Sequence, residues 1–293
     1  MLPLKDENPT HRTPFVTVGL IGVCLWLFFL WQPFGGGTAV EVQTEEGVIR
    51  FADESLAFTL ENAAIPCEVV EGRPLTIPEI EATFGGQSAD VEACGAGSPT
   101  SPKIFPDKSV WLSLLTSMFL HGGLLHLGGN LLFLWIFGNN IEDHMGHVRY
   151  LLFYLLGGLF ASGAHIVLNL DSTIPVVGAS GAIAAVMGAY LVWFPDAPVR
   201  TAVFFFFITL VDVRAKWLLG FWFVSQFFTN PNSGVAWAAH VGGFVFGVVV
   251  GLIVRSSGSI RRATWTPDYR TATGRWDDTG GAGYDPYRRR LGR

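Results

Sequence analysis

The chain has 293 residues, of which half are hydrophobic and only 15% are charged, and its mean hydropathy is +0.40. This balance favours a membrane protein over a soluble globular domain. The net charge of −5 arises mainly from one acidic segment, and no basic patch interleaved with aromatic residues spans a folded region. Nucleic acid is therefore not expected as a partner.

The first hundred residues divide into three parts. Residues 1–13 are polar and contain proline, which predicts a short, flexible, cytoplasmic N-terminal arm. Residues 14–32 predict a first transmembrane helix, because residues 14–31 carry no charge and are long enough to cross about 30 Å of hydrocarbon. Residues 35–105 are rich in Asp and Glu and contain the β-like runs VEVQT and GVIRF. They predict an acidic loop subdomain outside the membrane, between the first two membrane helices.

Two of the three cysteines fall in this acidic segment. We expect it to face an oxidising compartment, where Cys67 and Cys94 would form a disulfide rather than remain two unpaired thiols. Closing a loop of that size would stabilise the subdomain by roughly 3–4 kcal/mol. Cys24 lies inside the first predicted span and is interpreted as a packing residue.

Apolar segments recur through the rest of the chain. Spans are predicted near residues 124–139, 149–169, 178–194, 216–229 and 237–254, so residues 108–254 form a core with five further transmembrane helices. Several are short and rich in Gly and Ala, as expected for helices that pack on one another. The run AVFFFFITL at 202–210 is too short to cross and is interpreted as an interfacial lead-in to the fifth span. Residues 255–293 mix Gly, Pro and charge without periodicity, which predicts a disordered tail.

Basic residues set the expected orientation. Arg and Lys cluster in the connector 195–216 and after residue 254, which places both regions in the cytoplasm. Six spans then place both termini in the cytoplasm and residues 35–105 outside. We expect a multi-pass protein of the bacterial cytoplasmic (inner) membrane, with the lipid bilayer as its surroundings.

Three clusters of polar residues interrupt the apolar segments, where such groups are expensive unless they function or are paired. One lies at 121–130 (HGGLLHLGGN), one at 178–181 (GASG) and one at 240–243 (HVGG). They open the second, fourth and sixth spans, which all run from outside to inside in this topology. The three clusters are therefore expected at similar depth near the outer surface.

Small residues recur at helical spacing behind two of these clusters: Ser180, Ala184 and Gly188 in one span, and His240, Gly243, Gly247 and Gly251 in the other. Such stripes let helix backbones approach closely in a membrane. Packing one stripe on the other would bring the Ser180 hydroxyl to the His240 imidazole, as a nucleophile and its general base require. His126 and Asn130 share one helix face and both can donate hydrogen bonds. Together with the Ser180 backbone N–H they predict an oxyanion site.

Other interpretations of these residues are weaker. A single Ser beside Gly is usually a packing residue, and a single His near a helix start is usually bound to a carbonyl, but three matched clusters argue against coincidence. His121 and His126 are five residues apart, do not share a helix face and are not part of an HExxH motif, so no metal or other cofactor is expected. A transporter or channel would need intramembrane acid–base relays or broken helices, and no charged residue is centred in a span.

The segments LHGGLLHLGGNLLFLWIFGNNIEDHMG, GASG and WAAHVGGFVFG resemble the rhomboid intramembrane serine proteases over roughly residues 108–254. The resemblance implies an all-α membrane protein with a six-transmembrane-helix bundle and a serine–histidine dyad in a water-accessible cavity, without a metal or a third acid. It assigns Ser180 as nucleophile, His240 as general base, and His126, Asn130 and the Ser180 amide as the oxyanion site. The supporting positions are His121, Gly178, Gly181, Gly243 and Gly247.

The predicted function is an intramembrane endopeptidase that cleaves transmembrane protein substrates near their outer end after lateral entry beside the fifth span. The alternative is a catalytically inactive rhomboid-like protein that binds and sorts membrane helices. One position departs from the family pattern: rhomboids often carry an aromatic residue four positions after the serine, beneath the histidine, and here that residue is Ala184. Another residue, such as Tyr190 or Trp237, would then contribute to the support of His240.

Overall fold

The fold was analysed in a computed structural model, which describes residues 1–33, 39–44, 47–51, 53–84, 93–204, 207–230, 234–257, 264–268 and 273–277. The helices are α1 Phe15–Leu30, α2 Glu54–Asn62, α3 Pro66–Glu71, α4 Ile77–Phe84, α5 Val110–Thr116, α6 Leu124–Met145, α7 His147–Val167, α8 Ser180–Trp193, α9 Ala215–Gln226 and α10 Trp237–Ser256, with a 3-10 turn at Ser117–Phe119. The strands are β1 Leu2–Asp6, β2 Val40–Thr44, β3 Gly47–Phe51, β4 Pro198–Phe204, β5 Ile208–Arg214, β6 Thr264–Asp268 and β7 Thr273–Asp277.

A helix occupies each of the six positions predicted to span. Among the described residues, α6, α7 and α10 are the helices long and apolar enough to cross a membrane by length and composition, whereas α1 and α8 are shorter apolar helices of 16 and 14 residues. The shortness of α8 has a structural reason, because α6, α7 and α10 pack around it and residues 181–190 are all buried. A helix surrounded by protein need not match the full thickness of the lipid.

The close contact between α8 and α10 depends on the two stripes of small residues. A Cβ atom added at Gly243 would overlap the carbonyl oxygen of Gly181, and one at Gly247 would overlap that of Ala185. Larger side chains at these positions would force the two backbones apart. The glycines of α10 therefore set the distance between the helix that carries Ser180 and the helix that carries His240.

The segment predicted as an interfacial lead-in to the fifth span contains paired β-strands, which the sequence analysis did not predict. Strands β4 and β5 pair antiparallel, with Ala202 opposite Leu210, and β1 adds a third strand in the order β1-β4-β5. The N-terminal arm, predicted to be flexible, supplies β1. β-Branched and aromatic residues favour strands once a partner is present. The fold is therefore mostly helical rather than all-α, and the sheet follows the end of α8 opposite Ser180.

Buried carboxylates attach the first residues of the chain to the bundle. The Asp6 carboxylate accepts hydrogen bonds from the Tyr190 hydroxyl (2.9 Å) and the Asn140 amide (2.5 Å). Burial raises the pKa of Asp6 to about 7, although these hydrogen bonds oppose the shift. Glu142, near the end of α6, accepts hydrogen bonds from the Thr17 backbone N–H (2.8 Å) and hydroxyl (2.7 Å). It thus binds N–H groups that the start of α1 leaves without helical partners.

The acidic segment packs around a hydrophobic cluster of its own. The buried members of this cluster are Phe51, Ala57, Leu60, Ile65, Cys67, Leu75, Ile77, Ile80 and Ile104. The two β-like runs are β2 and β3, which pair antiparallel with Val42 opposite Ile49. Cys67 and Cys94 are joined by a disulfide in the structure.

Two buried glutamates of the same segment, Glu68 and Glu79, form ion pairs. Lys108 and Glu68 are both almost fully buried, with Nζ and Oε2 2.5 Å apart. Arg73 contacts both carboxylate oxygens of Glu79, at 2.8 and 2.9 Å. Burial alone would raise the pKa of Glu79, but the Arg73 guanidinium and the N–H groups of Thr76 and Gly95 lower it to about 2.

The tail differs in part from its predicted disorder. Helix α10 continues to Ser256, and β6 and β7 pair antiparallel, with Trp265 opposite Trp276. The remainder of the predicted tail, residues 258–263, 269–272 and 278–293, lies outside the described residues.

Candidate active site

The amino-terminal ends of α6, α8 and α10 meet at the end of the bundle opposite the three-stranded sheet. Ser180 is the first residue of α8, His240 lies in the first turn of α10, and His126 and Asn130 lie in the first two turns of α6. The structure thus brings the three predicted polar clusters into one site.

Ser180 and His240 are in direct contact. The Ser180 Oγ and the His240 Nε2 are 2.8 Å apart, within hydrogen-bond distance. This geometry suits a nucleophilic hydroxyl with an adjacent general base. The contact follows from the close packing of α8 on α10, with Gly181 directly against Gly243.

His240 is held by α9, and the sequence analysis missed this support. The His240 Nδ1 is 2.8 Å from the side-chain oxygen of Gln226, and the Trp222 ring lies 5.8 Å from the imidazole between centroids. Trp222 and Gln226 are four residues apart and share one face of α9. The four-residue spacing of these two side chains, and the presence of an amide at the end of an apolar helix, are the sequence features that could have indicated this support.

The residues expected to replace the missing aromatic have other partners. The Tyr190 hydroxyl donates to Asp6 at the sheet end of α8, and the Trp237 ring packs against Phe227. Neither supports His240 as the sequence analysis expected. Ala184 is fully buried in the contact between α8 and α10, where a Cβ at Gly243 would lie 3.3 Å from its methyl group. A small residue at position 184 therefore suits this helix contact.

Asn130 is a buried side chain with a free donor. The residue is 7% exposed, and its Nδ2 has no hydrogen-bond partner among the described residues. A buried amide without a partner is costly unless a ligand satisfies it. Asn130 borders the same cavity as Ser180, so the free N–H groups are available to an oxygen atom bound there.

His126 presents its second ring nitrogen toward Gly178. The His126 Nδ1 accepts a hydrogen bond from the Gly122 backbone N–H (3.3 Å), which leaves the proton on Nε2. A Cβ at Gly178 would lie 2.7 Å from that Nε2, and Gly178 has a φ of +128°, so glycine is required there for two reasons. The Gly178 N–H is bound to the Ser117 carbonyl (2.9 Å), which fixes the loop before Ser180.

His121, which the sequence predicts as a supporting position, lies in the loop before α6. Its backbone N–H and C=O both bind the side-chain amide of Gln32, at 3.0 and 3.1 Å. Its ring packs edge-on against the His126 ring, with centroids 5.2 Å apart. Burial, with a smaller contribution from His126, lowers the pKa of His121 to about 4, so the ring is neutral at pH 7.

A cavity of about 450 Å³ opens beside the serine and the histidine. Its polar lining is His126, Asn130, Ser180 and His240, and its larger apolar side chains are Phe133, Ile183, Met187 and Trp222. The described residues that line it include no Asp, Glu, Lys or Arg. The cavity therefore suits an uncharged, largely apolar segment of chain rather than a charged small molecule.

Within the described ranges, three side chains of types that can ligate a metal come together away from this cavity: Cys67, Glu79 and Cys94. The two cysteines are joined in the disulfide, so neither can supply a thiolate. Glu79 is occupied by Arg73 and by backbone N–H groups. This cluster is a structural part of the acidic segment.

Comparison with known proteins shows the family to which this chain is related. Residues 108–257 match the family model of the Rhomboid domain. Rhomboid protease GluP of Bacillus subtilis is 44% identical over 81 residues, which are 28% of this chain and 15% of that protein. Rhomboid protein 1, mitochondrial, of Saccharomyces cerevisiae is 28% identical over 174 residues (56% of this chain, 47% of that protein). Rhomboid protease GlpG of Yersinia enterocolitica is 28% identical over 167 residues (55% of each). The chain thus spans about half or less of the length of these relatives.

Proposed function

The chain belongs to the rhomboid family, and on that premise we propose that it is an intramembrane serine endopeptidase that uses Ser180 and His240. The observation that carries the proposal is the 2.8 Å contact between the Ser180 Oγ and the His240 Nε2, beside a cavity at the amino-terminal end of α8. The substrates would be transmembrane proteins, because the site lies among apolar helices and its cavity has an apolar wall.

The proposed reaction proceeds through an acyl-enzyme. The His240 Nε2 takes the hydroxyl proton as the Ser180 Oγ attacks the carbonyl carbon of the scissile bond. The resulting oxyanion accepts hydrogen bonds from the Asn130 amide, the His126 Nε2–H and the Ser180 backbone N–H. Protonated His240 then gives its proton to the leaving amine. A water molecule entering the cavity hydrolyses the acyl-enzyme, with His240 again as the base.

The proposed arrangement in the membrane uses α1, α6, α7, α8, α9 and α10 as six spans. Three of these helices are shorter than a full bilayer crossing, and mutual packing supports their inclusion. In this arrangement, a loop subdomain of residues 35–105 lies between the first two spans. The other five helices of the core belong to residues 108–254. The terminal regions are residues 1–13 and 255–293.

Charge supports one orientation of this bundle. Arg200, Arg214 and Lys216 lie on the sheet or directly after it, and Arg255 lies near the end of α10. Cytoplasmic ends of membrane proteins are enriched in Lys and Arg. The sheet end is therefore proposed as cytoplasmic, with both termini on that side and the active site near the opposite surface of a bacterial inner membrane.

The test is cleavage of a model single-span substrate by the purified protein in detergent. Wild type is expected to cleave, whereas Ser180→Ala and His240→Ala are expected to be inactive while retaining the wild-type thermal midpoint. Ser256→Ala, a serine change at the far end of α10, is the matched control and should cleave normally. A fluorophosphonate probe should label wild type at Ser180 and leave Ser180→Ala unlabelled.

Two results would overturn the proposal. Cleavage that survives Ser180→Ala would remove the dyad assignment. Substrate binding without cleavage in wild type, unchanged in Ser180→Ala, would favour the inactive helix-binding protein instead.

A further inference from the structure

We propose that Gln226 is a positioning residue of this site, whose side-chain oxygen holds His240 in the tautomer that presents a proton-accepting Nε2 to Ser180. This inference rests on the proposed protease function. It gives α9 a role in orienting the general base. It also explains how His240 is held when position 184 carries no aromatic ring.

The orientation of the Gln226 amide follows from its hydrogen bonds. Its Nε2 donates to the Trp222 carbonyl (3.0 Å) and to the Ser225 hydroxyl (3.3 Å), which uses both amide hydrogens. Its oxygen then faces the His240 Nδ1 at 2.8 Å. If the amide were rotated by 180°, its oxygen would face the Trp222 carbonyl oxygen, and two hydrogen-bond acceptors would be in contact.

This orientation determines where the imidazole proton lies. A carbonyl oxygen can only accept a hydrogen bond, so the His240 Nδ1 must carry the hydrogen. The His240 Nε2 then has a free lone pair and points at the Ser180 Oγ, 2.8 Å away. That is the tautomer that a general base for the serine requires.

A neutral acceptor is suited to this environment. Gln226 is 7% exposed and ends an apolar helix, where an unpaired carboxylate would be costly. The titratable groups that face His240 are His126 from α6 and His165 from α7, whereas α8 and α9 present Ser180 and Gln226. An amide orients the ring in the way that a carboxylate does in a charged triad, without adding a charge that would stabilise the protonated base.

The proposal is tested with Gln226→Met and Gln226→Glu in the single-span cleavage assay, measured from about pH 5 to 10. Methionine keeps the length of the side chain, but its thioether sulfur is only a weak acceptor for the hydrogen bond from His240 Nδ1–H. We expect kcat to fall about tenfold or more at every pH, with KM unchanged. Leu252→Met, an outward-facing change near the far end of α10, is the matched control and should keep the wild-type kcat.

Glutamate keeps both the size and the acceptor, and so separates positioning from packing. An ionised carboxylate would keep His240 protonated to higher pH, and a protonated one would donate to Nδ1 and leave the wrong tautomer. In both cases, the pH below which kcat falls should be higher in Gln226→Glu than in wild type, by about 1–3 pH units. At pH values above that point, kcat should recover towards the wild-type value. A merely structural glutamine would show no such shift.

The outcomes separate the two proposals. If wild type does not cleave the substrate, the proposed function fails. If wild type cleaves while Gln226→Met keeps its kcat, or Gln226→Glu keeps the wild-type pH profile at full activity, the positioning role fails and the protease remains. If Gln226→Met does not fold, as judged by its thermal midpoint, the pH profile of Gln226→Glu decides alone.

Discussion

Cys94→Ser should loosen the acidic segment by an amount set by the loop that its disulfide closes. The bond joins residues separated by 27 positions, so the chain-entropy relation gives ~3.6 kcal/mol of stabilisation at 25 °C. Cys67 is fully buried, and serine there would also bury a hydroxyl group, whereas Cys94 is partly exposed. Cys94→Ser is therefore the cleaner change. A loss of that size corresponds to a rise of about 400-fold in the population of the opened segment.

Limited proteolysis of the purified protein measures this population. When the segment recloses faster than the protease cuts, the rate of cleavage within residues 53–105 follows the free energy of opening. Cleavage should be faster by about two orders of magnitude in Cys94→Ser than in oxidised wild type. Reductant should bring wild type to the rate of the variant and should leave the variant unchanged.

Loss of the disulfide should also disturb the active site, because the acidic segment supports the loop before α8. The Ala64 backbone bridges to Val176, and the Ala64 N–H binds the Ser117 hydroxyl (2.5 Å). The Ser117 carbonyl in turn holds the Gly178 N–H. We expect slower substrate cleavage by Cys94→Ser and by reduced wild type.

Equal proteolysis rates in oxidised wild type, reduced wild type and the variant would refute this reasoning. The segment would then be held by its hydrophobic cluster and by the buried Lys108–Glu68 pair, with no measurable part for the disulfide.

Three further predictions concern the bundle and its site. Asn130→Ala should lower kcat by about 10²–10³-fold with little change in KM, because it removes one oxyanion donor; an unchanged kcat would exclude that role. Gly247→Val should lower the thermal midpoint in detergent, because even a Cβ there overlaps the Ala185 carbonyl; an unchanged midpoint would contradict the close packing. The free energy of unfolding of wild type relative to Asp6→Asn should fall as pH rises from about 4 to about 7, because Asp6 keeps its proton in the folded state up to about pH 7 and releases it near 3.8 when unfolded. A difference between the two proteins that stays constant over this range would exclude a raised pKa at Asp6.

Much of the helical core could be predicted from local pattern. Apolar runs placed a helix at each of six positions, and the GASG and HVGG motifs lie at the starts of α8 and α10. The family resemblance was confirmed by the domain match over residues 108–257. These features could be read from the sequence because helical periodicity and motif spacing are local properties of the chain.

The three-stranded sheet was missed for a long-range reason. The run at 202–210 is apolar enough to resemble a membrane-interface segment. It covers the end of β4 and the start of β5, which pair with each other, and β4 also pairs with residues 2–6. The Asp6–Tyr190 hydrogen bond joins positions 184 residues apart. No local period in the sequence indicates a partner so distant.

The sequence by itself determined where the six apolar helices of the bundle lie, and that small residues follow Ser180 in α8 and His240 in α10, because each of these depends on spacing within one helix. Only the tertiary structure decided what supports the histidine. The Gln226–His240 contact depends on where α9 lies against α10, and neither helix encodes that in its own periodicity. Packing between helices, rather than pattern within them, therefore decided how the proposed base is oriented.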